Sequence, residues 1–486
     1  MKDKVKAIER KIKQKYESMP VAIRATFWFV FCATLQKCVA LITTPIFTRL
    51  LTTEQYGQFT AYNSWLSIFT MFTSFNLSSA VYNKGLSKYS DDKDGYMSSM
   101  LGTTSIITVG CFAIYLIFRN QINAITELST EIMIMMFVEM LFFQSFSFWT
   151  VRQRYDFRYK SVVLVTLLMV FCNAGFGILA VELSTEKGLA RIFSNVIVNT
   201  VFGVVIYFHI FKRGKKLFSW QYAKFAVLFN IPLIPHYLST YILDQADRVM
   251  IQKMCGLSYV GIYGVAYSLG MVMKIITGSI NQSLTPWQYR KLEEKDYDSI
   301  NYSLIPIMLF VASLLVAFMA VAPEAMKILA SKEYYDAIYI IPSVTASVFF
   351  LLMYNLFSNV EFYYDANKFT MFVSIIGALL NIVLNYIFIG LFGYIMAGYT
   401  TLFCYVVFTF AHFIYAQIVS KKRIGRTIFD WKPITFISAA LIVVSCIFTL
   451  LYNTTVVRYT IFLIICLIIY RNRKKIIEYA AEFRRR

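Results

Sequence analysis

The sequence predicts an all-α membrane protein that crosses the bilayer about fourteen times. Three observations lead there. Of its 486 residues, 58% are hydrophobic and only 15% charged, whereas a soluble domain carries roughly 25% charged residues. The apolar residues gather in blocks of about 20, the length a helix needs to cross a hydrocarbon core of roughly 30 Å. They do not alternate with polar residues as barrel strands do, so helices are the spanning element. The basic residues, finally, concentrate in every second connecting segment.

In chain order the spans are expected at 21–48, 57–82, 98–118, 131–150, 161–182, 188–211, 222–246, 258–284, 301–326, 337–357, 367–389, 393–418, 434–452 and 455–470. The last is the shortest and carries Arg458. The apolar stretch after the basic N-terminal arm, about Val21 to Phe47, is too long for the core of a cleaved secretory signal. With the N-terminus cytoplasmic, 35 of the 47 Lys and Arg fall in cytoplasmic segments, 9 in outer ones, and Arg24, Lys37 and Lys274 within spans. The asymmetry places both termini in the cytoplasm of an inner-membrane protein and requires an even number of spans. It also accounts for the net charge of +20 without a nucleic-acid partner.

Other classes lose support in turn. The eight cysteines show no CxxC pair and the three histidines are scattered, so neither a disulfide framework nor a metal site is expected. No Walker loop, dinucleotide fingerprint or nucleophile elbow is present. The chain therefore reads as neither an enzyme nor a cofactor carrier. No outer loop exceeds about a dozen residues on this map, so function is expected inside the bilayer.

An internal repeat is visible. Thr48-Arg49 followed by Glu54-Gln-Tyr-Gly57-Gln-Phe59 links spans one and two, and Asp247-Arg248 followed by Gly256 and Gly261-Ile-Tyr263 links spans seven and eight. Each copy has an Arg at a helix end, a short polar turn and a Gly-x-aromatic opening the next helix. Six spans separate them, which implies two six-span halves in the same orientation (about 1–212 and 213–420) followed by two further spans and a basic tail over 421–486. Parallel repeats of this kind occur in transporters, with the site between the halves.

Ionisable groups inside spans are costly, roughly 2.5–3.5 kcal/mol each at mid-helix, and are functional candidates by default. Lys37 lies mid-way along span one and Lys274 inside span eight. Together with Arg24 near the inner end of span one they suggest a cationic cavity; the plainer reading is snorkelling or internal pairing. In span seven His236, Thr240, Asp244 and Arg248 recur every four residues and share a face, with Asp247 beside it. Asp244, Asp247 and Arg248 read equally as a gate, a coupling-ion site or an interfacial cap. Pro232 and Pro235 are expected to bend that span. Glu139 is the deeply placed carboxylate of span four, open as a proton relay or as a protonated core residue. Asn381 and Asn385 read as cross-helix hydrogen-bonding groups, and Glu361 as interfacial.

The layout, the segment Arg49-Leu-Leu-Thr-Thr-Glu-Gln-Tyr-Gly-Gln-Phe59 and the pair Asp247-Arg248 followed by Val260-Gly-Ile-Tyr-Gly-Val-Ala-Tyr267 resemble the polysaccharide-transport (Wzx-type) flippases of the multidrug/oligosaccharidyl-lipid/polysaccharide exporter superfamily. The resemblance spans the chain in layout; from span nine onward it is one of hydropathy alone. It implies a V-shaped pair of six-helix bundles and a cationic cavity lined by spans one, two, seven and eight. The implied cargo is an undecaprenyl-pyrophosphate-type carrier of an O-antigen, capsule or lipopolysaccharide repeat unit, flipped to the outer leaflet by alternating access. Coupling to H⁺ or Na⁺, and partnership with the polymerase and chain-length proteins of the pathway, belong to the same implication. A cation-coupled multidrug antiporter and a lipid II flippase are the alternatives within the superfamily. A polysaccharide polymerase or ligase is the alternative outside it, disfavoured by the short outer loops.

Overall fold

The computed structural model describes residues 19–366 and 368–473, and every regular element among them is helical. Eleven helical stretches are long and apolar enough to cross a membrane, and a helix pair bent by 41° makes a twelfth. The protein is therefore a multi-pass membrane protein. Two expected spans fall short of that standard. The helix Thr53–Ser74 is too polar, and ends well before the expected limit because Phe75 and Asn76 adopt left-handed backbone (φ 45° and 52°). The final helix, Thr455–Arg471, has 17 residues.

The chain divides into two compact units, one running to Ile46 and then over Leu66–Ile234, the other comprising Phe47–Trp65 and everything from Pro235 onward. The first unit contains most of α1 (Val21–Leu50), the end of α2 (Thr53–Ser74), the short α3 (Ala80–Lys88), α4 (Lys93–Ile117), α5 (Arg119–Thr126), α6 (Thr130–Tyr155), α7 (Tyr159–Leu183), α8 (Lys187–Gly214) and α9 (Trp220–Asn230). Polar residues mark its helix boundaries. Asp92 caps α4 by accepting from the Gly95 amide at 3.1 Å, and Ser129 caps α6 through the Ile132 amide at 3.4 Å. Its core is aromatic: Tyr82 of α3 stacks on Tyr96 of α4 (centroids 5.6 Å apart) and meets Phe148 of α6 edge-on at 5.0 Å. α6 and α8 approach closely at Gly203, where the Ser145 hydroxyl donates to the glycine carbonyl at 2.7 Å, the small-residue contact that substitutes for hydrophobic driving force in a membrane.

The second unit continues through α10 (Ile234–Cys255), α11 (Leu257–Gly270), α12 (Met273–Glu293), α13 (Tyr297–Leu329), α14 (Ile341–Tyr363), α15 (Lys368–Phe392), α16 (Met396–Ile424), α17 (Trp431–Leu451) and α18 (Thr455–Arg471). α14 is its centre. Every residue from Ile341 to Phe350 is buried, and the helix packs most heavily on α16. The expected span seven runs as one apolar stretch, Trp220–Cys255, within which α9 ends at Asn230, Ile231–Leu233 tighten into a 3₁₀ turn, and α10 follows.

The two copies of the repeat meet inside this second unit. A Cβ on Gly57 would lie 1.8 Å from the Leu257 carbonyl oxygen and 3.1 Å from the Gly261 nitrogen; one on Gly261 would lie 2.2 Å from the Thr53 oxygen and 2.9 Å from the Gly57 nitrogen. The glycines thus face each other across a backbone-to-backbone crossing of α2 and α11. Thr53 and Ser258 hydroxyls bond across it at 2.7 Å, and the Trp65 indole donates to Gln252 at 3.1 Å.

Arg458, the residue that weakened the last expected span, anchors it instead. Its guanidinium is buried, forks onto Glu324 of α13 at 2.8 and 2.9 Å and donates to the Ala320 carbonyl at 2.7 Å. Glu324→Ala leaves that cation buried and unpaired, at a cost of about 3 kcal/mol. The expected result is proteolytic release of the C-terminal helix under conditions where wild type stays intact; equal protection would contradict the anchor.

Candidate functional site

The polar groups of the second unit form two clusters on the same three helices, α10, α15 and α16. Asp247, about two turns from the end of α10, is 1% exposed. One of its oxygens accepts from Asn385 Nδ2 at 2.8 Å; the other accepts from Tyr263 Oη at 2.5 Å and Thr401 Oγ1 at 2.7 Å. Asn385 in turn accepts from Thr400 and donates to Asn381 at 3.2 Å. Asn381 and Asn385 therefore hydrogen-bond across helices as the sequence implied. The donors reaching Asp247 are all neutral, so a carboxylate there has its lone pairs used and its charge unmatched by a direct ion pair.

Arg248 does not supply that pair. Its guanidinium donates to the main-chain carbonyl of Asp244 at 2.7 Å and lies 4.3 Å from the Tyr267 ring centre. The side chain of Asp244 is half-buried and makes no salt bridge to Arg248. The four-residue spacing brings the arginine to the right turn, but onto the backbone.

A second cluster, which sequence reasoning missed, lies about three turns earlier along α10 and α15 and about three turns later along α16. Glu361 (α14) and His412 (α16) are both 0% exposed. His412 Nδ1 lies 2.8 and 3.0 Å from the two Glu361 oxygens, and Thr370 Oγ1 (α15) donates to one of them at 3.0 Å. Glu361 is thus enclosed rather than interfacial. His236 joins from α10, its Nδ1 3.0 Å from Ser374 Oγ, which donates to the Thr370 carbonyl at 2.7 Å. No spacing rule links positions 361 and 412; the tertiary packing of α14 on α16 brings them together.

In the first unit, Glu139 (α6) is 1% exposed and accepts from Asn199 Nδ2 (α8) at 2.6 Å, while Asn199 accepts from Asn173 (α7) at 3.2 Å. This amide chain ties three helices through a single carboxylate. Arg24 is half-buried and already engaged. Lys37, mid-way along α1, is exposed and makes no hydrogen bond or ion pair to any described residue. Lys274 belongs to the second unit, in the first turn of α12 just past the 41° bend, and is likewise exposed with no side-chain partner among the described residues. No group of three metal-ligating side chains is assembled among the described residues.

Asp247 offers a test of how much of this is structural. Asp247→Ala strands three buried donors, each costing about 1–3 kcal/mol; Asp247→Asn keeps an acceptor and the volume. The alanine protein is expected to melt well below the asparagine protein in detergent. Equal melting would mean the three hydrogen bonds do not hold α10 to α11, α15 and α16.

This multi-pass, all-helical fold is shared by known structures. The fold matches the lipid II flippase MurJ in an inward closed conformation (TM-score 0.67, 16% identity, 92% of this chain and 99% of that one). It also matches an inward-facing multidrug resistance MATE-family transporter of the MOP superfamily (TM-score 0.59, 13% identity, 80% and 96%). At these identities the likeness is one of fold. Residues 22–292 match the family described as polysaccharide biosynthesis protein, and the chain belongs to that family. Among curated proteins it is similar to the Lsg locus putative protein 1 of Haemophilus influenzae, 25% identical over 354 residues, covering 68% of this chain and 82% of that protein.

Proposed function

We propose that the protein flips a polyprenyl-pyrophosphate-linked oligosaccharide repeat unit, of O-antigen or capsule type, from the cytoplasmic to the outer leaflet of the inner membrane. It does so by alternating access between two six-helix lobes in a V, carried on fourteen spans with both termini cytoplasmic, and it breaks no bond. Family membership supports the polysaccharide pathway. The observation that carries the reading is Lys37: an ammonium in the middle of an apolar helix, accessible and without a partner among the described residues. An isolated cation at that depth is costly, and an arriving pyrophosphate supplies the missing counter-charge. Lys274 and Arg24 add cationic groups for the same head group. The sugars and phosphates, which cannot shed water into hydrocarbon, pass along polar walls while the polyprenyl chain stays in lipid. Asp247 is the residue for a coupling ion, since its carboxylate is buried with neutral partners only.

Protein in nanodiscs should bind a polyprenyl-pyrophosphate oligosaccharide, with free polyprenyl pyrophosphate competing and polyprenyl alcohol not. Equal competition by the alcohol would overturn recognition of the charged head group.

A further inference from the structure

The least expected chemistry in the molecule is the His412–Glu361 pair. Both side chains are fully enclosed, and the Nε2 atom of His412 is buried without a hydrogen-bond partner. Around that imidazole stand the rings of Tyr354 and Phe408, each 4.7 Å away between centres, and Phe369 at 5.8 Å. Native proteins rarely leave a buried polar atom unpaired, and those that do usually have a reason. Glu361 already receives Thr370 on one oxygen, so with the carboxylate ionised Nδ1 must carry a hydrogen to satisfy it. Nε2 is then left as a bare lone pair in an apolar cage.

We infer that His412 Nε2, held by Glu361, is a binding site for a single proton that the protein loads and releases. The balance is simple. A proton from water forms one N–H bond at Nε2, and the pair passes from net charge −1 to zero. The groups facing the pair decide what each state costs. α14 contributes Tyr354 besides Glu361, α15 contributes the hydroxyl of Thr370, and α10 contributes His236 through Ser374. None of these is a fixed cation. The loaded pair is therefore neutral as a whole, and the new imidazolium sits against aromatic rings that favour cations. The unloaded pair is an uncompensated anion in an enclosed site, expensive until water or a cation reaches it. Release is thereby linked to an opening of α14, α15 and α16 around the site, the linkage a proton-driven conformational cycle requires. Along α15, Thr370 and Ser374 stand about 16 Å from Asn381 and Asn385 at 1.5 Å per residue, so this proton site is separate from the Asp247 cluster on the same helices.

The site itself rests on geometry; its use to drive translocation rests on the flippase reading above. The test needs no glycan, so the two can fail independently. Full-length protein in nanodiscs, carrying ¹⁵N-labelled histidine, is followed by NMR from about pH 8 to about pH 5, the range in which imidazoles change charge. His209→Gln and His236→Gln remove the other two signals and leave that of His412. The expected result is a His412 ring with Nδ1 protonated throughout and Nε2 changing from bare to protonated, while Glu361→Gln shifts that change by at least tenfold in proton concentration. A His412 ring that keeps one protonation state over the whole range would overturn the proposal, whether or not the Glu361 variant folds.

Discussion

Replacing Gly57 by alanine is expected to remove most folded protein from the membrane. The new methyl would stand 1.8 Å from the Leu257 carbonyl oxygen and 3.1 Å from the Gly261 nitrogen. Both obstacles are backbone, so no side chain can swing aside, and α2 must move off α11. Overpacking of a tight contact costs about 1–3 kcal/mol, and this contact belongs to the upper end because Thr53–Ser258 and Trp65–Gln252 are pulled apart with it. Gly261→Ala should behave alike, since its methyl meets the Thr53 oxygen at 2.2 Å. Gly110→Ala, where nothing lies within 4 Å, is the control. Fluorescence-detected size exclusion of tagged protein checks all three; a monodisperse Gly57→Ala protein at wild-type level would contradict the crossing.

The second large effect concerns charge rather than packing. Lys37→Ala is expected to cost no expression or melting stability, because the side chain is exposed and contacts no described partner and its removal takes away a cation that is costly at that depth. Binding of the pyrophosphate-linked glycan should nevertheless drop about 10- to 100-fold, the equivalent of a hydrogen bond to a charged group worth about 1.5–3 kcal/mol. Lys37→Arg should retain most affinity and Lys37→Glu should lose the most, in the order of charge rather than of size. An arginine variant as weak as the alanine one would mean that shape at this position, and not its charge, matters.

What the sequence conveyed and what it withheld divide along physical lines. Helix positions were legible because a membrane helix announces itself by length and apolar content alone. The two shortfalls are the places where that signal is weakest: α2, whose polar face is spent on close packing, and α18, whose shortness is offset by the buried Arg458–Glu324 pair. The glycine repeat was visible as a pattern, but that its copies pack face to face was not, because a repeat says which segments are alike and nothing of whether they touch. Within the polar clusters, four-residue spacing correctly set Asp244 and Arg248 one turn apart, yet could not choose between a carboxylate and a main-chain carbonyl as the partner. Glu361 looked interfacial because it sits near a helix end, and His412 looked like a stray histidine. They meet only through packing between residues 51 positions apart, and single-helix periodicity carries no trace of such a contact.

The measurement that tests the central claim most directly is translocation in proteoliposomes. A polyprenyl-pyrophosphate oligosaccharide is placed in one leaflet, and its protection from an added glycosidase is followed with and without protein. Sugar is expected to cross only when protein is present, slowed by Lys37→Ala and slowed further by Lys37→Glu. No crossing by any of several lipid-linked glycans, with gradient-driven efflux of a cationic dye instead, would contradict it.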